Sequence, residues 1–221
     1  MKLPKKLSLL IFPPKCVLCR RILKKEETDL CHSCRRDTET CKSTNVSLPH
    51  LAQWTSLWYY EENVSRSILR FKFHRARSYA QSYGRLLAMH ILSEDMDFDV
   101  LTWVPISTLR KWRRGYDQGE QLALAVGNEL GITPVKCLKK HRNNPPQAGL
   151  GQAPQRRANV LGVYHCIQPE LVRGKRVLIL DDVITTGATA GECARVLLTA
   201  GAKAVLCATV AAASHKRKNS R

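Results

Sequence analysis

The sequence predicts an α/β protein in which a parallel sheet is covered by helices on both faces and is preceded by a small four-cysteine zinc module. Two observations lead to this fold. The last third of the chain reads as strand, helix, strand, with continuous apolar runs typical of a fully buried parallel sheet. The N-terminal segment, in contrast, is poor in large apolar residues and holds four cysteines in two CxxC pairs.

Charge and composition limit the class of partner. The 221-residue chain has 36 Lys and Arg against 18 Asp and Glu, a formal net charge of +18, while its hydrophobic content of 44% is that of a globular protein. An excess this large favours an anionic partner, such as nucleic acid, a phosphorylated metabolite or an anionic surface. The alternative is a solvated basic surface that has no particular ligand.

The first residues, "MKLPKKLSLLIFPPK", combine a basic start with a short apolar patch. Pro13 and Pro14 end that patch and no small-residue cleavage site follows, so a signal peptide is not expected. No stretch approaches the roughly 20 apolar residues of a membrane-spanning helix. We therefore expect a cytoplasmic protein without membrane insertion, whose nine cysteines do not form a disulfide framework.

Two CxxC pairs separated by eleven residues predict a structural zinc site. The four thiolates are those of Cys16, Cys19, Cys31 and Cys34. Metal binding would supply the folding energy that so polar a segment cannot obtain from a core. Four protein ligands leave no open position, so the zinc would not be catalytic. His32 and Cys41 are the alternative ligands.

The middle of the chain alternates between predicted strands and helices. The runs "SLWYY" and "VLTWV" are typical of strands, whereas "SRSILRFKF", "SYAQSYGRLLAMHIL" and "EQLALAVGNELG" have helical spacing. One helical stripe, expected in the core, contains Tyr79, Tyr83, Leu86 and Leu87. Gly131 is expected to end the third of these helices.

The last third supplies the strand "RVLIL", a helix over residues 188–200 and the strand "AVLCATVAA". Before it, residues 141–162 are rich in Pro, Gly, Asn and Gln and contain three arginines. A loop this long favours a cover over an anionic ligand, with a passive excursion as the alternative. We expect a zinc module with its basic lead at 1–45, an α/β domain at 46–215 and a basic tail at 216–221.

The segment "VLILDDVITTGATA" carries the predicted chemistry. Asp181 and Asp182 follow a buried strand, and the residues after them lead into a helix N-terminus that favours a phosphate monoester. Two acceptor-only carboxylates suit the vicinal hydroxyls of a ribose, so together these features indicate a ribose 5-phosphate. Ala188 stands where a Walker A loop would need Lys. The alternatives are a metal-binding or helix-capping acid pair and an ordinary helix cap.

Residues 177–189 resemble the 13-residue phosphoribosyl pyrophosphate signature of type I phosphoribosyltransferases. The whole chain is similar to the ComF (GntX-like) family, which joins an N-terminal four-cysteine zinc module to a phosphoribosyltransferase-like domain. The matching stretches are the two CxxC pairs, "LRFKFH", "VPISTLRKWRRGYDQGEQLA", "NPPQAGLGQAPQRRANVLG" and the signature.

The resemblance implies a role for each matching position. Asp181 and Asp182, the catalytic pair, would hold the ribose hydroxyls of a ligand like phosphoribosyl pyrophosphate, which brings Mg²⁺ with it. The 5-phosphate would be bound by Thr185, Thr186, Gly187, Ala188 and Thr189. The pyrophosphate would be bound by Pro105, Ile106, Ser107, Arg110 and Arg114. Asp117 stands where the family has Asn. A carboxylate beside a pyrophosphate pocket would need either magnesium or a side chain that points away from the pocket.

Three functions follow from the sequence and the resemblance. The first is a Mg²⁺-dependent phosphoribosyltransferase, in which pyrophosphate leaves the anomeric carbon; no residue identifies its acceptor. The second is an accessory protein for DNA uptake that handles single-stranded DNA and contacts DNA-uptake proteins, and the third is a sensor that binds the ligand without consuming it. Nucleic-acid contact would use Lys111, Trp112, Arg113 and Arg114, where the aromatic ring suits base stacking. Trp112 is alternatively a core anchor.

Overall fold

The computed structural model of the chain describes residues 13–41, 47–73, 78–141 and 160–214. The greater part of the predicted cover, residues 142–159, lies outside these ranges, as does the basic tail. Among the helices that are described, none is both long and apolar enough to cross a membrane.

A parallel four-stranded sheet forms the centre of the described chain, which confirms the predicted fold class. Its strands are β1 (Gln53–Tyr59), β2 (Val100–Trp103), β5 (Arg176–Ile184) and β6 (Ala204–Ala212). Their order across the sheet is β1-β6-β5-β2, and every pairing is parallel. A short antiparallel hairpin of β3 (Leu138–Lys140) and β4 (Tyr164–Cys166) stands apart from this sheet.

Helices cover both faces of the sheet. They are α1 (His32–Asp37), α2 (Glu62–Phe73), α3 (Ser78–Ser93), α4 (Thr108–Arg114), α5 (Gln118–Leu130), α6 (Pro169–Val172) and α7 (Ala188–Thr199). Along β5 the side chains alternate between two cores. Leu178 and Leu180 belong to the core that holds α2, α3 and α5, whereas Val177 and Ile179 belong to the core beneath α7.

The predicted stripe of α3 is the centre of the first core. Tyr83 and Leu87 are fully buried, and Tyr79 and Leu86 pack against the same cluster. The backbone of α3 also lies very close to α5, because a Cβ placed on Gly84 would come within 2.4 Å of Ala125 Cβ. This close contact fixes α3 and α5 against each other at the side of β5.

Strand β5 is longer than the sequence pattern predicted. The apolar run ends at Leu180, but β6 continues to pair with β5 through Ile184, so both aspartates lie within the strand. Strand β2 ends earlier, at the pairing of Trp103 with Leu180. The edge of β5 that starts at Asp181 therefore has no strand beside it among the described residues, and this open edge is where the site forms.

Candidate functional site

The four predicted thiols lie together in the N-terminal module. The Sγ atoms of Cys16, Cys19, Cys31 and Cys34 are all within 4.8 Å of one another, and those of Cys19 and Cys31 are 3.6 Å apart. Tetrahedral zinc, with Zn–S bonds of about 2.3 Å, requires sulfurs at this spacing. Burial opposes ionisation of Cys31, but bonds from the Cys34 amide and the neighbouring thiols outweigh it and lower its pKa to about 7. The residues therefore fit a structural zinc ion.

The two alternative ligands do not belong to this cluster. His32 is exposed at the start of α1, and Cys41 is buried in a separate apolar cluster with Ile184 and Cys207. In the described ranges, the four cysteines form the one group of three or more side chains able to hold a metal. This structure offers no comparable site for resident magnesium in those ranges, so Mg²⁺ is considered below only as a companion of the ligand.

Helix α2 holds the cysteine module against the sheet domain. The Ser67 hydroxyl donates to the carbonyl oxygen of Val17 at 2.5 Å, and Arg70 donates to the carbonyl oxygen of Leu18. A further contact comes from α3, where Arg85 forms an ion pair with Asp29. The segment between the first two cysteines is thus fastened to the helix that leads to the ligand site.

Asp182 is the better buried of the two predicted acids. It is 5% exposed and points toward α2 and α5. Its Oδ1 lies 2.7 Å from Lys72 Nζ, and its Oδ2 accepts a hydrogen bond of 3.3 Å from Gln118 Nε2. Both carboxylate oxygens are therefore held by donors from two different helices.

Gln118 connects this carboxylate to the predicted pyrophosphate arginines. Its Oε1 accepts a hydrogen bond of 2.7 Å from Arg114, whose guanidinium lies 4.9 Å from the centroid of the Phe73 ring. Burial lowers the pKa of Arg114, and the negative charge of Asp182 opposes that effect. The structure thus joins Lys72, Asp182, Gln118 and Arg114 in one chain of polar contacts, which we call the acid network.

Asp181 has different surroundings, because successive residues of a strand point to opposite faces. It is half-buried, and the charged and titratable groups that act on it from its own side include Lys140 and Cys193. Burial, followed by the negative charge of Asp182, raises the pKa of Asp181 to about 8. A diol that contacted both acids would have to lie across the open edge of β5.

The predicted phosphate loop leads directly into α7. Gly187 is the N-cap of this helix with φ of +72° and has no side chain to cap it, and the Ala188 amide donates to Thr186 Oγ1 at 3.4 Å. A Cβ on Gly187 would lie 2.8 Å from Leu48 Cδ2, so that leucine side chain would have to shift, and the positive φ is the conformation that favours glycine here. Backbone amides and the positive end of the helix dipole face the loop, as a phosphate group requires.

The predicted pyrophosphate turn is held by Asp117. This carboxylate caps α5 by accepting from the amides of Gly119 and Glu120, and it also accepts from the Ile106 amide at 3.2 Å. The carboxylate that the sequence places beside the pyrophosphate pocket is thus occupied by three amides, one of which belongs to Ile106 of the predicted pyrophosphate turn. The Ser107 hydroxyl caps α4 through the Arg110 amide, and Pro105 is buried in the same turn.

The predicted nucleic-acid residues occupy two places on α4. Trp112 is 81% exposed, which excludes a core anchor, and Arg113 beside it is exposed as well. Lys111 is exposed but forms an ion pair of 2.9 Å with Glu120. Arg114 is instead turned toward Gln118 in the acid network.

Two lysines near the acids were not singled out from the sequence. Lys72 lies between two phenylalanines in "LRFKFH", a pattern that signals a basic residue at the end of an amphipathic helix but not its partner. Lys140 ends β3, and its Nζ lies 5.3 Å from the centroid of the Tyr164 ring. Burial, followed by the positive charge of Arg110, lowers the pKa of Lys140 to about 8.

Comparison with known proteins identifies the two domain types of the chain. A model of the phosphoribosyl transferase domain matches residues 115–221, and a model of the double zinc ribbon domain matches residues 7–46. The chain thus joins a phosphoribosyltransferase-like domain to a zinc ribbon. The solved structure of an allosteric regulatory enzyme of purine biosynthesis is similar to this chain, with 24% sequence identity and a TM-score of 0.42. The matched region is 59% of this chain and 26% of the chain of that enzyme.

Relatives over nearly the whole chain then define the family. "DNA utilization protein YhgH" of Escherichia coli is 30% identical over 91% of this chain and 100% of its own length. "Competence protein F" of Haemophilus influenzae is 26% identical over 86% of this chain and 93% of its own. "Competence protein ComFC" of Bacillus subtilis is 25% identical over 84% and 78%. The chain belongs to the ComF (GntX-like) family of phosphoribosyltransferase-like proteins with an N-terminal zinc module.

Proposed function

We propose that the protein binds phosphoribosyl pyrophosphate, or a related ribose 5-phosphate, at the open edge of β5 and acts in the uptake or use of external DNA. The observation that carries the binding proposal is the acid network, which fixes Asp182 five residues before Gly187, the N-cap of α7. A fixed hydrogen-bond acceptor for hydroxyls, followed in the chain by the backbone amides of a helix N-terminus, suits a sugar phosphate. The names of the relatives, a DNA utilization protein and a competence protein, support the role in DNA use.

Magnesium enters this proposal with the pyrophosphate and balances its charge. The protein's own residues position the ligand. Asp182 accepts from the diol, the loop at Gly187 receives the phosphate, and Arg110 and Arg114 lie on the pyrophosphate side. Asp117 holds the turn on that side, because its carboxylate accepts hydrogen bonds from the Ile106 amide and from the first amides of α5.

The test is calorimetry of the zinc-loaded protein with phosphoribosyl pyrophosphate and Mg²⁺. We expect the wild type to bind and Asp182→Asn to bind at least tenfold more weakly, because hydrogen bonds to a charged acceptor contribute about 1.5–3 kcal/mol. Asp37→Asn is the matched control, since it makes the same change on an exposed carboxylate of α1. A wild type that does not bind, or an Asp182→Asn variant that binds equally well, contradicts the proposal.

A second candidate function is contact with single-stranded DNA, which the exposure of Trp112 favours. A bare indole next to Arg113 on a strongly basic chain combines a stacking platform with phosphate neutralisation. Trp112→Ala is expected to lower the affinity for a short single-stranded oligonucleotide by roughly five- to a hundredfold, because stacking contributes about 1–3 kcal/mol per base.

Two further variants separate stacking from charge. Arg113→Ala should reduce the slope of log affinity against log salt by about 0.7, the value for one phosphate contact on a single strand. Met89→Ala removes an apolar side chain of 67% exposure from α3 and should leave binding unchanged. Equal affinity of wild type and Trp112→Ala would exclude this surface.

A further inference from the structure

Lys72 is the charged member of the acid network that neither the sequence motifs nor the comparisons assign. Its side chain is 22% exposed, and Nζ lies 2.7 Å from Asp182 Oδ1. Burial alone would lower the pKa of Lys72, but the charge and hydrogen bond of Asp182 outweigh it and raise that pKa. The ammonium group is therefore charged and held against one of the predicted ligand-binding acids.

The position of Lys72 is fixed at several points along α2. Val64, Ile68 and Phe71 are buried on its inner face, and the carbonyl oxygen of Phe71 accepts a hydrogen bond from the hydroxyl of Tyr116. Toward the cysteine module, the same helix is fastened through Ser67. These contacts hold in place the backbone that carries Lys72.

The two donors leave Asp182 in a defined orientation. A carboxylate oxygen can accept about two hydrogen bonds, so with Lys72 on Oδ1 and Gln118 on Oδ2 one acceptor position per oxygen is left for a ligand. A carboxylate held at both oxygens, with one acceptor position left on each, matches two neighbouring hydroxyl groups. The fold already orders that carboxylate, so ligand binding loses no further side-chain entropy there.

We propose that Lys72 is a positioning residue of the sugar site, which orients Asp182 so that the protein prefers a ribose phosphate with an intact 2,3-diol over its 2-deoxy analogue. This inference rests on the proposed function and specifies the group that Asp182 recognises. Lys72 acts through Asp182 and needs no contact with the sugar itself.

The test is calorimetry of the zinc-loaded full chain with ribose 5-phosphate and with 2-deoxyribose 5-phosphate. The wild type should prefer ribose 5-phosphate by at least fivefold. Lys72→Gln should weaken the binding of ribose 5-phosphate about tenfold and that of the deoxy analogue less than twofold, so the preference is lost. Arg66→Gln is the matched control, because it removes the same charge from an exposed ion pair on the same helix and should keep the preference.

A second comparison separates positioning from a general loss of structure. In an Asp182→Asn background, adding Lys72→Gln should cause no further loss of ribose 5-phosphate affinity, since Lys72 acts through the carboxylate that is already absent. Circular dichroism checks that each variant is folded. If Lys72→Gln does not fold, Lys72→Arg should fold and lose at least threefold in preference, because the larger planar head cannot occupy the same enclosed position.

The outcomes distinguish the role of Lys72 from the proposed binding of a ribose 5-phosphate. A folded Lys72→Gln that keeps the wild-type preference overturns the inference alone, as does Lys72→Arg with full preference when Lys72→Gln does not fold. Equal weakening of both sugars and of inorganic phosphate would show a general charge effect and also overturn it. A wild type that binds neither sugar phosphate overturns the proposed function, and this inference with it.

Discussion

At the residue scale, Asp181 and Asp182 are neighbours in the chain but have opposite surroundings. Asp182 is held by Lys72 and Gln118, whereas Asp181 lies on the other face of β5 and forms no ion pair with the described part of the chain. Strand alternation explains the difference, because it sends consecutive side chains to different cores. The two acids therefore contribute differently to the protein, and the difference can be measured through stability.

Asp181→Asn should stabilise the protein increasingly as the pH rises. In the folded chain, burial and then the negative charge of Asp182 raise the pKa of Asp181 to about 8. In the unfolded chain the same carboxyl group has its ordinary pKa near 4. This group therefore favours the folded state at low pH, and its contribution is lost as the pH rises toward 8. Between pH 6 and pH 8.5 the advantage of Asp181→Asn should grow by about 1–2 kcal/mol, an amount reduced by the partial exposure of the side chain.

Denaturant unfolding of wild type and variant at the two pH values checks this. Asp37→Asn is the control, because a hydrogen bond from Arg36 lowers the pKa of Asp37. That carboxyl group is ionised throughout the range above pH 6, so the effect of Asp37→Asn on stability should be constant there. A stability difference for Asp181→Asn that does not change with pH would contradict the environment described for Asp181.

At the element scale, α2 links the two parts of the chain. Ser67 and Arg70 donate to the carbonyl oxygens of Val17 and Leu18, and Lys72, near the C-terminal end of the helix, binds Asp182. Zinc fixes the loop that carries those carbonyl groups, so the metal should influence the sugar site through this helix. Such coupling is reciprocal: if zinc favours the sugar phosphate, the sugar phosphate also favours zinc.

Removing zinc with a chelator should therefore weaken the binding of ribose 5-phosphate, by about three- to tenfold, corresponding to a coupling energy of about 0.7–1.4 kcal/mol. Adding zinc back should restore it. With zinc present, Ser67→Ala should produce a weaker form of the same effect, whereas Ser65→Ala on the same helix, which loses only a local bond to the Glu62 carbonyl oxygen, should not. Full affinity in the zinc-free protein would show that α2 does not couple the two regions.

The elements that the sequence predicted are those with long, regular patterns. Strand β6 begins and ends where the apolar run does, and α7 agrees to within one residue, because burial on both faces and helical spacing leave a clear signal. The hairpin of β3 and β4 was missed, since three-residue strands contain no period to detect. The end of β5 was misplaced because pairing with β6 continues past the last apolar residue.

At the scale of the whole molecule, the site depends on contacts between distant parts of the chain, which is why the sequence predicted it only in part. Motif resemblance identified Asp182 and Arg114, and the structure connects them through Gln118. Lys72 is 110 positions from its partner, and no local pattern could have paired them. The role of Asp117 likewise became clear only from the amides that surround it.

The net charge of +18 also has meaning at this scale. Part of the positive charge is used inside the protein, where Lys72 and Arg85 pair with buried acids. The exposed remainder, which includes Arg113 and several residues of the cysteine module, is available to attract anionic ligands from solution. A phosphorylated sugar and a DNA strand would both be drawn by this field, and only specific contacts separate them.

A crystal structure of the zinc-loaded protein with phosphoribosyl pyrophosphate and Mg²⁺ tests the central claim most directly. The account predicts density for the 5-phosphate over the first turn of α7 at Gly187, and ribose hydroxyls within hydrogen-bonding distance of Asp182 while Lys72 remains on the far side of that carboxylate. Density for the ligand elsewhere on the chain, or a sugar that does not contact Asp182, would contradict it.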